Sequence, residues 1–519
     1  MRAPLRSSSR SAQTASGASI PAPVGGWDAV SALEDMPPDR APSLDNWFPS
    51  TADVRVRRGN ASFATGMGTG PVESLLVYNG ITTTASKLFG AANNIIYDIT
   101  SGGAGSSSVT SLTNNQWQYV NFATAGGNFL VMANGADSVR NFDGTSWTTP
   151  SITSLTSSTF VNVNVHKNRL WFIIKDSTDA AYLPVNSIAG AAVKFPLGSL
   201  CSKGGFLVAM ATWTRDGGLG PDDYAVFITS LGQVIVYQGT DPSSSSTWAL
   251  VGSYDVGAPI GYRCFTKVAG DVALINIDGV LPLSKAIMTD RGAVQQVAIT
   301  ANINNAMNEA ARSYKSNFGW ELCPYPRGIM ALLNVPITAS SSQQQYVMNT
   351  LTGAWCRFTG MNANCWAVFK DNLYFGGNAG VVYHADTGGT DNGSPIEAIG
   401  QTAYNYFKSR GQLKNWTMLQ PLLTTDSDGR PALGISTDFK DNAVLGTPIT
   451  SSIPSAVYDT ALYDTDVYAI EDRTVADWTT ISGIGQCASI HFRSSTNTTG
   501  DSVMRLNGFN VLMERGGIL

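Results

Sequence analysis

A short apolar run, a polar turn, a second apolar run and a turn carrying an aromatic residue recur through most of this chain. Leu75-Leu76-Val77-Tyr78 leads to Lys87-Leu88-Phe89-Gly90 and then Ile95-Ile96-Tyr97-Asp98. Tyr119-Val120-Asn121-Phe122 leads to Asn128-Phe129-Leu130-Val131-Met132 and the turn Asp143-Gly144-Thr145-Ser146-Trp147. The theme returns over 161–173, 224–248, 264–283, 329–355 and 365–383. Period-two apolar runs bounded by Gly, Asn and Asp are antiparallel strands. Their spacing of ~40–50 residues is that of a propeller blade rather than a solenoid repeat. The expectation is a mostly β protein, with a β-propeller of degenerate four-stranded blades, about six in number, over residues 61–400.

Residues 401–519 lose the blade theme. Trp416-Thr417-Met418-Leu419, Ala432-Leu433-Gly434-Ile435, Ala488-Ser489-Ile490-His491-Phe492 and Phe509-Asn510-Val511-Leu512-Met513 alternate as strands and predict a β-sandwich-like second domain. Residues 1–25 predict a flexible arm, since Ser, Gly and Pro dominate it. Arg2, Arg6 and Arg10, with no acid before Asp28, give it a transit-peptide-like composition, but it lacks the apolar segment of a secretory signal. Residues 26–60, rich in aromatics and prolines, predict a strap that packs on something. Ile303, Met307 and Ala310 share a helical face, with Thr300 or Asn302 as the cap, and predict a helix inserted between blades.

Composition narrows the function. Charged residues are only 14% of the chain, against ~25% in ordinary soluble domains. A net charge of −5 excludes a nucleic-acid clamp, which needs a basic excess. No run reaches the ~18 apolar residues of a membrane span. Cys201, Cys264, Cys323, Cys356, Cys365 and Cys487 include no CxxC pair and read as core thiols in a reducing compartment.

Motifs of chemistry are weak. His166, His384 and His491 stand apart, with no HExxH spacing. Gly66-Met67-Gly68-Thr69-Gly70 lacks the Lys-Ser/Thr of a phosphate loop and reads as a turn. Asp426-Ser427-Asp428-Gly429 opens like a calcium loop without its terminal Glu and reads as a hairpin turn. Asp459, Asp464, Asp466, Glu471 and Asp472 lie among Tyr458, Tyr463 and Tyr468 as a solvated or partner-facing loop. Asp143–Trp147 is faintly similar to the Asp-box hairpin of sialidase propellers. No catalytic, cofactor or metal residue is assigned, and the chain is not expected to be an enzyme.

The strap runs from Gly26-Trp27-Asp28 through Leu33-Glu34-Asp35-Met36-Pro37-Pro38-Asp39-Arg40-Ala41 and Leu44-Asp45-Asn46-Trp47-Phe48-Pro49 to Val54-Arg55-Val56-Arg57-Arg58-Gly59. It resembles the N-terminal signature of the tail tubular B, or nozzle, and packaged-DNA stabilisation proteins of short-tailed bacteriophages. Trp47 stands where the family often has another aromatic. Gly70–Leu75 with Lys87–Gly90 is similar to their first blade, and Glu514-Arg515-Gly516-Gly517-Ile518-Leu519 to their ending.

The resemblance implies a homo-oligomeric ring, a hexamer or similar, in the tail of a virion assembled in the host cytoplasm. Its partners would be portal and adaptor proteins and tail fibres. Double-stranded DNA would be retained and then conducted without sequence-specific binding. Asp35, Met36, Pro37, Pro38, Leu44, Asn46, Trp47, Phe48, Pro49, Arg55 and Arg58 would form the docking strap. The alternative expectation is a tail-associated propeller that binds, or cleaves, host-surface glycan.

Overall fold

The computed structural model describes residues 15–216, 221–268, 270–426, 429–441, 443–450, 473–498, 500 and 503–518. It divides into two compact units, Arg58–Ser394 and a composite of Met1–Arg57 with Pro395–Leu519. No helix among the described residues is long and apolar enough to cross a membrane.

Arg58–Ser394 is a β-propeller. The first blade pairs Ser74–Tyr78, Lys87–Ala92, Ile95–Asp98 and Ser106–Val109 in order. The second pairs Gln118–Thr124, Gly127–Ala133, Arg140–Phe142 and Trp147–Thr148. The third runs from Phe160–His166 to Val193–Pro196, and the fourth from Leu207–Asp216 to Trp248–Asp255. The fifth has three strands, Phe265–Val268, Asp271–Asn276 and Gly279–Pro282. These five are self-contained sheets.

Two more four-stranded units belong to one larger sheet. One runs from Glu321–Tyr325 to Trp355–Phe358. The other joins Cys365–Phe369, Asn372–Gly376 and Val382–Ala385 to Asn60–Thr65. First strands neighbour one another from the second blade to the fourth and from the fifth to the last unit, whose Cys365–Phe369 lies against Ser74–Tyr78 of the first blade. The expected count of about six is therefore corrected to five free-standing blades and two fused units. The sequence hides the last one's fourth strand, because Asn60–Thr65 precedes the first blade.

Each blade buries both faces, so its strands are apolar on both. Lys87–Ala92 is buried at every position except Lys87. Val77, Leu88, Cys365 and Phe369 share one cluster, while Leu76, Phe89, Leu130 and Phe142 share the next. Buried amides join blades where charges are scarce. Asn334 is fully buried. Its Nδ2 donates to the carbonyls of Gly319 and Ala363, at 2.7 and 2.9 Å. Its Oδ1 accepts from Gln345 Nε2 and Trp366 Nε1, at 2.9 and 3.2 Å. All its polar capacity is thus used. The predicted helix is Asn304–Tyr314, burying Met307 and Ala310, and it follows the fifth blade. Neither expected residue caps it. Thr300 Oγ1 instead accepts from the Val280 amide and donates to Asn304 Oδ1.

The composite unit is sandwich-like and draws on both chain ends. One sheet holds Ala15–Pro21, Trp47–Pro49, Val54–Val56, Gln412–Thr425, Arg473–Val475, Thr479–Gly485 and Met504–Ile518. Facing it are Ser43–Asp45, Ser394–Gln401, Ala432–Thr437 and Ala488–Thr496. Trp47 meets Phe492 edge-on at 5.4 Å, and Phe492 meets Phe509 at 5.5 Å, across the core. The expected divisions shift accordingly. Residues 15–21 of the arm are a strand on Met504–Ile518, with Ala15 opposite Glu514 and Pro21 opposite Gly508. The strap and the C-terminal segment form one unit rather than two.

His166 is 1% exposed at the end of its strand, beside Trp248. Neither ring nitrogen makes a well-formed hydrogen bond. Burial, then the charge of Lys167, pushes its pKa down to about 4, although the Gly239 backbone counters part of this. An unfolded histidine takes its proton near ~6.5. Between those values the unfolded chain binds more protons, so stability falls as pH is lowered from ~6.5 towards ~4, by roughly 3 kcal/mol in total. His166→Phe is expected to flatten the pH dependence of the urea midpoint across that window, and an unchanged profile would refute this account.

Candidate functional site: the strap and the propeller axis

The strap starts with a buried ion pair. Asp28, 2% exposed, accepts from the amides of Val30 and Ser31, from Ser31 Oγ, and from Arg40 Nη1 at 2.7 Å. Burial alone would raise its pKa, but these donors hold the carboxyl below the usual range. The backbone then turns at Asn46, whose φ of 58° is a left-handed conformation Asn tolerates. Its Nδ2 donates to the Glu397 carbonyl at 2.7 Å, and its Oδ1 accepts from Arg57 Nε at 2.8 Å.

This turn sends Leu44, Trp47 and Phe48 inward, at 0%, 0% and 2% exposure. Met36 and Pro49 are buried too. Asp35, Pro38, Arg55 and Arg58 are exposed, with Pro37 half-buried. The Arg55 guanidinium covers the Phe48 ring at 5.1 Å. The expected docking residues thus split into a core set and a surface set. Arg58 falls in the propeller unit, and the other ten in the composite unit.

On the propeller axis the first strands enclose a cavity of about 510 Å³. A second of about 230 Å³ shares Gln118, Tyr262 and Arg263 with it. Arg263 is the hub. Its Nη1 reaches Glu321 Oε2 at 2.9 Å. Its Nη2 donates to the Glu73 carbonyl, Ser74 Oγ and the Trp117 carbonyl, at 2.8, 2.7 and 3.2 Å. The Phe318 ring lies under the guanidinium at 5.0 Å. One side chain entering the fifth blade so binds the first and second blades and the unit that opens at Glu321.

Glu321 also accepts from the Trp366 amide at 2.8 Å. Only 13% of its side chain is open, on the narrow cavity. Burial pushes its pKa up, while Arg263 and the Trp366 amide pull it back. Burial likewise raises Tyr119 to about 12 and raises the Cys323 and Cys365 thiols. Glu321 is the one carboxylate lining either cavity. A hydrolytic site of the two-carboxylate kind needs a partner acid ~5–10 Å away, and these walls do not supply it.

The remaining motifs do not converge. His384 stacks on Tyr374 at 5.1 Å in the propeller, and His491 meets Ser436 Oγ at 2.9 Å in the composite unit. The glycines of 66–70 serve packing. Gly68 has φ +83°, and a side chain there would strike Asn93, whose Nδ2 caps the Met67 carbonyl at 2.8 Å. Asp426 accepts from the Val503 amide, while Ser427 and Asp428 lie outside the described residues, as do Asp459, Asp464, Asp466, Glu471 and Asp472. All six cysteines are buried. No group of three or more metal-ligating residues occurs among the described residues.

Arg263 and Glu321 escape sequence reasoning. Glu321 opens the mostly buried strand Glu321–Tyr325, a local clue, whereas Arg263 lies just before Phe265–Val268 with Lys267 close by, and no local signal marks it. Breaking a buried pair by removing one partner costs about 3–5 kcal/mol. Arg263→Met is expected to lose that much in urea denaturation, with the loss shrinking in mildly acidic buffer as the orphaned Glu321 protonates. A loss that does not vary with pH would show that the pair's charge is not what matters.

Searches against family models and curated proteins find no match. Among solved structures, the chain is similar to BBS1N from its complex with ARL6DN, at 10% identity and TM-score 0.37, covering 64% of this chain and 98% of that one. It is also similar to the exo-β-1,3-galactanase of Phanerochaete chrysosporium, at 10% identity and TM-score 0.25, covering 76% and 95%.

Proposed function

We propose that this chain is a structural subunit of a short-tailed bacteriophage tail tube. In this reading it forms a ring with its own copies below the portal and adaptor, retains packaged DNA and conducts it during ejection. One observation carries the proposal. Two of the stretches that resemble tail proteins, the strap as far as Arg57 and the chain end, belong to one unit, with Arg55 opposite Arg505 and Val54 opposite Leu506. Such a shared module, built from both ends of the signature, is what an assembly domain requires.

The axial cavity bears on where DNA would travel in this reading. At about 510 Å³ it has the size of a small-molecule site, and a duplex whose major groove alone is ~12 Å wide cannot enter it. In this reading the conduit lies between subunits. A closed ring needs two complementary lateral faces on each copy. Few cations in the chain keep counterion release small, so DNA slides without being trapped.

Negative-stain imaging of the purified chain, alone and with portal and adaptor, is expected to show rings. Replacing the exposed strap residue Asp35 (Asp35→Arg) is expected to reduce portal-bound rings severalfold while leaving thermal unfolding within ~0.5 kcal/mol of the parent. Monodisperse single copies that never join the portal would overturn the proposal.

A further inference from the structure

Where the first two blades meet, Phe89 and Phe142 pack edge to face at 4.9 Å. Trp147 closes on both, at 4.9 and 5.2 Å. The two phenylalanines are buried, but Trp147 is only half-buried and borders an open groove of about 370 Å³. Its Nε1 has no hydrogen-bond acceptor. Asp98 lies directly across from Phe89 in the strand register, and Lys87 is two residues away on the same face. Lys87 and Asp98 pair at 3.1 Å and line the groove beside the aromatics. Ser108, Thr145 and Ser146 complete the rim.

The rim is pre-organised. The Asp143 carboxylate accepts from the amides and hydroxyls of Thr145 and Ser146, at 2.7–3.2 Å. These bonds hold its pKa at about 2, so the turn stays locked at neutral pH. The hydroxyl oxygens of Thr145 and Ser146 keep acceptor capacity.

We propose that this groove binds a neutral pyranose unit of an oligosaccharide. A sugar ring has an apolar C–H face and a hydroxyl-bearing edge, and the groove offers the match to each. Trp147 presents the aromatic plate. Lys87 donates to ring-edge hydroxyls and Asp98 accepts from them, through charge-assisted hydrogen bonds. The charges of Lys87 and Asp98 cancel, so the site does not select an anionic sugar. A peptide would want apolar recesses, whereas this rim is all hydroxyls and one ion pair. The size is within the ~300–1,000 Å³ of small-ligand sites.

The test is saturation-transfer NMR and calorimetry on the full chain, with maltohexaose, cellohexaose, a galacto-oligosaccharide and a manno-oligosaccharide as probes. At least one is expected to bind. Its affinity should fall roughly tenfold in Trp147→Ala, consistent with the loss of one aromatic contact. Asp98→Asn, which spares the aromatic cluster, should weaken it as well, and Trp478→Ala, in the other unit, should not. Failure of all four probes to bind the parent protein, or equal binding by the Trp147 and Asp98 variants, would overturn the proposal. Ring formation is scored separately, so this site and the tail role stand or fall independently.

Discussion

Both units depend on antiparallel pairing between segments remote in sequence. In the propeller, Asn60–Thr65 pairs with Val382–Ala385, setting Asn60 against Ala385 and Ser62 against Tyr383. In the composite unit, Ala15–Pro21 pairs with the strand that ends the described chain. Bringing such distant segments together costs closure entropy that rises only logarithmically with loop length. The apolar surface then buried outweighs it. Without these pairings the seventh propeller unit would lack its outer strand, and Met504–Ile518 would expose a long unpaired edge, a liability for aggregation.

A sparse supply of charges shapes the interior. Buried polarity is carried by amides, as at Asn334, and the few buried charges are enclosed. Lys414, 1% exposed, donates to the carbonyls of Ser409, Gln412 and Gln486, at 2.5, 3.0 and 2.8 Å, and burial lowers its pKa. Arg263 spends its contacts on three carbonyl or hydroxyl oxygens and one carboxylate. Buried ions are tolerated only when hydrogen-bonded in this way. The consequence at the propeller axis is a clamp rather than an open pore.

Within the propeller, the groove beside Trp147 shares no lining residue with the two axial cavities. A ligand held there would leave the Arg263 clamp in place.

Local pattern determined much of this protein. Short apolar runs and turn residues mark every blade, and the helix at Asn304–Tyr314 follows from the spacing of Met307 and Ala310. Those signals are legible because they arise from neighbours within a few residues. Tertiary structure alone decided what depends on distant partners. Asn60–Thr65 straddles the expected boundary between strap and propeller, and only its pairing with Val382–Ala385 makes it the fourth strand of the last unit. Trp47 and Phe48 read equally as docking anchors or core until Phe492 is seen packed against Trp47. Arg263 and Glu321 are unremarkable in sequence, because a charge becomes a clamp only when folding removes its water and sets an opposite charge 2.9 Å away.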